Sequence, residues 1–471
     1  MCYSNQGWFR EQFGFFKRQF VQEGDLPFTD VLSEETIAPA LEEIEVCWKD
    51  RIYTPLVTLW VFLSQVLSAD HSCRAAVARL IAHRVSQGKS RCSAETGAYC
   101  QARKRLPEKF FSTITRLVGR KLDDQVQESW LWKGHRVYMF DGSTVSMPDT
   151  AANQAAYPQT KQSKPGAGFP LARIGILSSL SCGAVLDMGL CPYAGKGTGE
   201  VSLLRRMWNG LRKGDVLLAD GLMCNWRNLY ELCERGIPVV SRLNKALRKA
   251  DFRKGKRLGK DDHLVRWPKP HLRDMGRAQR AMPRFLTVRE VRFRVEQPGF
   301  RTKEVIVVTT LLDPTEYSKE DLANLYRSRW SQELDIRDLK VTLQMDFLRC
   351  KTPELVRKEV WTHLLAFNLI RTVMAQAALK HHVLPRTLSF KGALQTLEAF
   401  QPLIAYVGSR SSTYRQHLYQ ELLDAISSHR VADRPDRFEP RKKKRRRSPY
   451  DLLTKSRKEA KRDILKGLSK N

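Results

Sequence analysis

An α/β fold with helical flanks is the class that this sequence predicts, on three observations. Two short apolar runs, Val137–Phe140 and Val216–Ala219, each end in Asp-Gly, at Asp141-Gly142 and Asp220-Gly221, as buried strands ending in turns do. Strand and helix signals alternate around them, which is α/β patterning. Before about residue 133, and again after Ser318, apolar residues recur at helical spacing with few strand signals. A chain of 471 residues with 42% hydrophobic content is long enough for two or three domains with sizeable cores.

Taken in order, residues 1–133 read as an all-helical N-terminal domain. Leu56, Leu59, Trp60, Leu63 and Leu67 fall three and four apart, Ala75 to Ile81 continue as an alanine-rich stretch, and a basic run through Arg103, Lys104 and Arg105 stops at Pro107. From His135 the pattern turns to strands: Val137–Phe140 with Asp141 at its tip, then Ala172–Leu177 and Gly183–Leu190 joined by a turn. A helical stripe over Glu200–Leu211, closed by Gly214, leads to the strand Val216–Ala219, Asp220, a further helix and a strand at Val239-Val240. Residues 242–314 are basic and strand-rich, with strands expected over Phe285–Val288, Val291–Val295 and Val305–Leu312. Ser318 can cap a helix starting at Lys319, and helix is expected again over Pro353–Lys380. The core is thus placed at 134–380, a C-terminal helical region at 381–434 and a basic tail at 435–471, where Arg441–Arg447 reads RKKKRRR.

Lys plus Arg total 81 against 50 Asp plus Glu, a formal net charge of +31, so the expected partner is a polyanion, with nucleic acid ahead of an anionic membrane surface. Leu56–Leu67 is too short to span a bilayer and Leu364–Ile370 is interrupted by Asn368, so no membrane partner is expected. The N-terminal stretch lacks the uninterrupted apolar core of a signal peptide, which points to a cytoplasmic protein. The ten cysteines contain no C-x-x-C pair, so zinc has little support.

The stretch with most chemistry is Tyr326–Lys340, YRSRWSQELDIRDLK. On one continuous helix Tyr326, Arg329, Glu333 and Lys340 would sit at roughly 0°, −60°, −20° and −40°, a narrow stripe with one carboxylate flanked by two cations and a phenol. The carboxylate suits a divalent cation, and the fork, ammonium and hydroxyl suit phosphate oxygens. Asp335 and Asp338 lie roughly 160° and 140° from Glu333, off the stripe. A Glu333–Arg337 pair would be the ordinary helix-stabilising alternative. The spacing Tyr, two residues, Arg, three residues, Glu, six residues, Lys resembles the YREK signature of DDE transposases of insertion-sequence family four.

That resemblance implies a ribonuclease H-like core, which the order of three strands, helix, strand and helix also resembles, with a β-rich insertion between the second aspartate and the glutamate. It implies a metal-dependent enzyme that binds an element's terminal inverted repeats, cleaves DNA and transfers strands. Asp141, Asp220 and Glu333 would be the catalytic carboxylates and metal ligands, holding two Mg²⁺ ions for which Mn²⁺ can substitute. Two strand tips and a helix supplying three hard-oxygen ligands suit two ions flanking an in-line phosphoryl displacement. Tyr326, Arg329 and Lys340 would contact DNA. The expected partners are double-stranded DNA, as transposon ends and target, and a second copy in a homodimer on DNA; the setting is the bacterial cytoplasm, at the nucleoid. Two alternatives stand beside this one: a ribonuclease H-like nuclease, which does not need Tyr326, Arg329 and Lys340 at these spacings, and a catalytically inactive DNA-binding relative.

Other features are weighed and set aside. Asp149 is the nearest rival carboxylate, in a turn-like stretch after Pro148. Gly195-Lys196-Gly197-Thr198-Gly199 fails the nucleotide-loop pattern, because Gly197 stands where Ser or Thr should follow the lysine. Trp267 is a lesser candidate for stacking a flipped base, with core packing favoured, and Trp330 ranks below it.

Overall fold

The computed structural model describes residues 6–43, 51–270, 281–294, 304–407, 411–431 and 451–466. The expectation for Arg441–Arg447 lies outside them.

Before residue 133 the described chain is helical: α1 (Gln6–Gln19), α2 (Glu34–Glu42), α3 (Pro55–Val66), α4 (Cys73–Ser86), α5 (Gly97–Arg105) and α6 (Glu108–Asp124). Local chemistry starts these helices; Thr54 accepts the Val57 N–H at 3.3 Å and Pro55 sits in the first turn, where its missing donor is harmless. The basic run behaves unevenly. Lys104 and Arg105 are exposed, but Arg103 is buried, bonded to Gln65 at 3.1 Å and stacked 4.5 Å over the Tyr99 ring.

One nine-stranded sheet follows, in the order β3-β2-β1-β4-β5-β9-β8-β7-β6. Its strands are β1 (Val137–Ser146), β2 (Leu171–Ser179), β3 (Val185–Pro192), β4 (Val216–Ala219), β5 (Val239–Arg242), β6 (Lys256–Gly259), β7 (Asp262–Pro268), β8 (Phe285–Arg294) and β9 (Glu304–Thr309). A short helix, α7 (Ala151–Ala156), links β1 to β2; α8 (Glu200–Met207) and α9 (Trp226–Glu234) precede and follow β4. β1, β2 and β3 form an antiparallel meander, while β4 and β5 run parallel to β1.

Three expectations change. β1 does not stop at Asp141; it continues to Ser146, because Gly142 and Ser143 keep pairing with Gly175 and Ile174 of β2 after β4 has ended at Ala219 opposite Phe140. A Cβ at Gly142 would lie 2.4 Å from the Glu200 Cγ, so a larger residue there would push the Glu200 side chain aside. The segment 242–314 adds its strands to the same sheet: β9 pairs antiparallel with β5, and β8, β7 and β6 follow. β8 is one strand where two were expected, and β6 and β7 lie in this strand-rich segment at positions not singled out. Lastly, residues 457–465 form a helix, capped by Ser456 and Glu459, within the region read as a tail.

The two faces of the sheet differ. Tyr138 and Phe140 join Leu217 and Ala219 in a core against α8 and α9. Val137 and Met139 join Val216 and Leu218 on the opposite face, with Leu322 and Leu325 of α10 (Lys319–Ser328). α10 begins at Ser318 as expected, with a full capping box to Asp321. It passes through Arg329 into α11 (Trp330–Arg337). The 28-residue α12 (Pro353–Lys380) is buried on all sides and shares one core with α3, α6, α13 (Phe390–Val407) and α14 (Ser412–Ser428); α15 (Arg457–Leu465) ends the described chain. Among the described residues no helix is long and apolar enough to cross a membrane.

Asp335 ties these layers together. One of its oxygens accepts from Arg371 of α12 and from Arg386, both at 2.6 Å, and its side chain is 1% exposed. Removing one partner of a buried ion pair leaves uncompensated charge, so Asp335→Ala is expected to cost roughly 3–5 kcal/mol of unfolding free energy in urea titration. A loss below about 1 kcal/mol, the range of exposed pairs, would show that this network does not hold the layers.

Candidate active site

Alternation along paired strands sets the site. Because Val137 and Met139 face α10, so does the next odd residue, Asp141; because Val216 and Leu218 face it, so does Asp220. Phe140 and Ala219 are register partners, so the two aspartates follow the last pair of the parallel ladder side by side. α10 and α11 lie beneath that face and bring Tyr326, Arg329 and Glu333 to it.

Arg329 bridges the carboxylates. Its Nη2 donates to Glu333 Oε1 at 2.6 Å and its Nη1 lies 3.7 Å from Asp141 Oδ2. Glu333 is therefore paired with Arg329, while Arg337 is exposed. Asp141 Oδ1 accepts the Gly142 N–H at 2.8 Å, and Asp220 Oδ1 accepts the Leu222 N–H at 2.7 Å. Burial pushes the Asp141 carboxyl from 3.8 up to about 6; the Gly142 N–H and Arg329 oppose this, and Asp220 and Glu200 add to it. Tyr326 lies with its ring 6.0 Å from the Arg329 guanidinium, and burial raises its phenol above the usual range.

Lys340 is held differently from the single-helix expectation. After α11 the chain makes a π-helical turn over Asp338–Thr342, closed by the Leu343 N–H on the Asp338 oxygen at 2.9 Å. An i→i+5 turn rotates later residues off an ideal stripe. Lys340 reaches the strand regardless: its ammonium donates to Ser143 Oγ at 3.2 Å and pairs with Asp346 at 2.9 Å. Asp346 is fixed by its own oxygen, which accepts the Ser146 N–H at 3.0 Å. Sequence reasoning missed both partners. Ser143, two residues beyond Asp141 and so on the same face, could have been found by strand period; Asp346 carried no signal.

The set-aside residues fall elsewhere. Asp335 and Asp338 face Arg371 behind the helix. Asp149 is exposed and bonds Gln154 at 2.8 Å. Trp267 is 2% exposed, its indole N–H donating to Glu290 at 2.8 Å with Arg248 over the ring, so it is core and does not offer a face to a base. Trp330 is the more open ring, 47% exposed. Among the described residues no three carboxylate, histidine or thiol groups converge closely enough to ligate one ion. The chemistry of the donor set, three hard carboxylate oxygens disposed around one face, is of the kind that suits a hard divalent cation.

Asp141 within β1 and Asp220 just past the end of β4 face a glutamate-bearing helix, and residues 132–369 match the family model described as a transposase DDE domain. With half of the chain matched, this protein belongs to that family. It is 29% identical over 295 residues to the transposase InsG for insertion sequence element IS4 of Escherichia coli K12, an alignment covering 58% of this chain and 61% of that protein. It is 41% identical over 69 residues to the putative transposase InsL for element IS186A of the same strain and to the transposase for element IS421 of Escherichia coli, 15% of this chain and 19% of each relative. The chain thus aligns with less than two thirds of the length of these relatives. Among solved structures, a piggyBac transposase synaptic complex with hairpin DNA is similar at a TM-score of 0.43 and 10% identity, over 88% of this chain and 85% of that one.

Because burial raises the Asp141 carboxyl, its contribution to stability is whole below 3.8 and is lost as pH rises through about 6. Asp141→Asn is therefore expected to raise the Tm of the metal-free protein at about pH 8, a gain that shrinks as the pH falls below about 5. A calorimetric gain that is equal at both pH values, or absent at the higher one, would contradict this.

Proposed function

We propose that this chain is a transposase that binds the terminal inverted repeats of an insertion sequence and catalyses metal-dependent DNA cleavage and strand transfer. The observation that carries the reading is the joint placement of Asp141 and Asp220 on one sheet face with the signature residues Tyr326, Arg329 and Glu333 beneath it, in a chain of the DDE family. The strand order β3-β2-β1-β4-β5, with only the first three antiparallel, supports a ribonuclease H-like core, here over residues 134–380 and extended by the insertion at 242–314. On this reading residues 1–133 form a DNA-binding domain, 381–434 a helical support and 435–471 a basic tail.

Asp141, Asp220 and Glu333 would hold divalent ions, Mg²⁺ in the first instance with Mn²⁺ as a substitute. Bound there, such ions activate the attacking oxygen and stabilise the leaving one. The chain's own residues bind and orient the DNA. Arg329 offers its fork and Lys340 its ammonium to backbone phosphates, Tyr326 offers a hydroxyl, and Ser143, two residues along β1 from Asp141, holds Lys340 together with Asp346. Exposed Lys104 and Arg105 extend the positive surface onto the N-terminal helices. Joining two ends of an element to one target requires two such sites, so the active species is a homodimer on DNA.

Asp141→Ala, Asp220→Ala and Glu333→Ala are each expected to abolish Mg²⁺-dependent nicking of end-containing duplexes while gel-shift binding survives. Nicking that persists in any one of them would remove that residue from the site. For Lys340→Ala, the slope of log affinity against log salt should fall by about one phosphate contact, and an unchanged slope would take this lysine off the DNA path.

A further inference from the structure

We propose that Arg329 occupies the seat of a divalent cation in the free protein, so that metal and DNA phosphate bind with positive coupling: the metal takes the carboxylates from Arg329, and the phosphate takes Arg329 from the carboxylates. The inference rests on Asp141, Asp220 and Glu333 being the metal ligands, as set out above.

The geometry points to it directly. The guanidinium spans Asp141 and Glu333, at 3.7 Å and 2.6 Å, and is the cation that joins these two side chains among the described residues. A metal shared by those carboxylates needs oxygens at about 2.0–2.6 Å and repels a guanidinium placed among them. Arg329 is only 19% exposed and Asp141 23%, so this competition takes place in a partly desolvated setting where salt screens it weakly. Arg329 also stands at the junction of α10 and α11, with helical φ and ψ of −53° and −29° but outside both helices. A guanidinium released from Glu333 and Asp141 would have its planar fork free for a phosphate.

Binding linkage then follows by reciprocity. If Arg329 must leave before the metal enters, the free protein binds metal more weakly than its three carboxylates allow; if phosphate draws Arg329 out, DNA tightens metal by the factor by which metal tightens DNA. Lys340, held by Ser143 and Asp346 and by none of the three carboxylates, has no such linkage and serves as the control cation.

The test is a Mn²⁺ titration of the full chain at fixed ionic strength, read by the electron paramagnetic resonance signal of free Mn²⁺, without DNA and then with a short blunt duplex of mixed sequence. Without DNA, Arg329→Gln should bind Mn²⁺ at least about 5-fold tighter than the unmodified chain, the lower end of ordinary coupling factors, while Lys340→Gln should stay within about 2-fold. Duplex should tighten Mn²⁺ binding in the unmodified chain and much less in Arg329→Gln. Arg329→Lys keeps the charge and should remain close to the unmodified chain, which separates charge competition from a disturbed fold. If Arg329→Gln binds no tighter, or if Arg329→Lys tightens equally, the competition is refuted. Asp141→Asn distinguishes the two levels. Its loss of the Mn²⁺ site alongside an unaltered Arg329→Gln overturns the coupling alone, whereas Mn²⁺ binding undiminished in Asp141→Asn overturns the metal-site reading itself.

Discussion

The parallel pairing of β1 with β4 is the constraint on which the site depends. Phe140 opposite Ala219 fixes the register, and the next residue on each strand is an aspartate facing the same side. A slip of one residue in either strand would send one carboxylate into the core packed against α8 and α9, among Leu203, Leu204 and Leu229. That core supplies the resistance to slipping. Val216, Leu217, Leu218 and Ala219 are all fully buried, so β4 is specified on both faces and has no solvent side to exchange with.

The helix that supplies Glu333 is fixed from behind by polar contacts. Gln332, also fully buried, donates to the Ile176 carbonyl at 3.1 Å and bonds Ser178, both on β2. Three residues on, Asp335 takes Arg371 and Arg386, and Arg386 continues to the Leu180 carbonyl at 2.7 Å. A helix carries neighbours three apart on one face. Gln332 and Asp335 therefore define the buried side, and Glu333 is turned toward the aspartates by what its neighbours bind. Buried polar groups of this kind specify a single seat where apolar packing alone would tolerate several.

Much of this was legible in the sequence where local chemistry decides. Ser318 and Pro353 start helices because a cap and an N-terminal proline act within one turn, and the two Asp-Gly strands are visible because their apolar runs are short and sharply ended. The signature spacing singled out Glu333 and the Asp-Gly turns singled out Asp141 and Asp220, whereas the sheet face that the two aspartates share follows from the β1–β4 register. What could not be read depends on partners distant in sequence. β6 and β7 are too polar to announce themselves and exist because β8 gives them a ladder. Arg103 looks like part of a solvated run and is buried under residues thirty and more positions away. Glu333 has an arginine four residues to either side, and proximity to Asp141 decides for Arg329. The π turn at Lys340 accompanies a docking of Asp346 and Phe347 onto the end of β1 that no local pattern encodes.

The continuity of the sheet bears on how such a chain can be shortened. β5 has β4 on one side and β9 on the other, so the strands of the insertion cover what would otherwise be an open row of backbone donors and acceptors. The margin they create instead is β6, four residues long and led by exposed Lys256 and Arg257, which is how stable proteins discourage a foreign strand from adding on. Excising the insertion to obtain a minimal core would uncover β5, whose Val239, Val240 and Ser241 are buried. The trimmed protein would then present an apolar, uncharged sheet edge, and self-association through that edge would set its solubility.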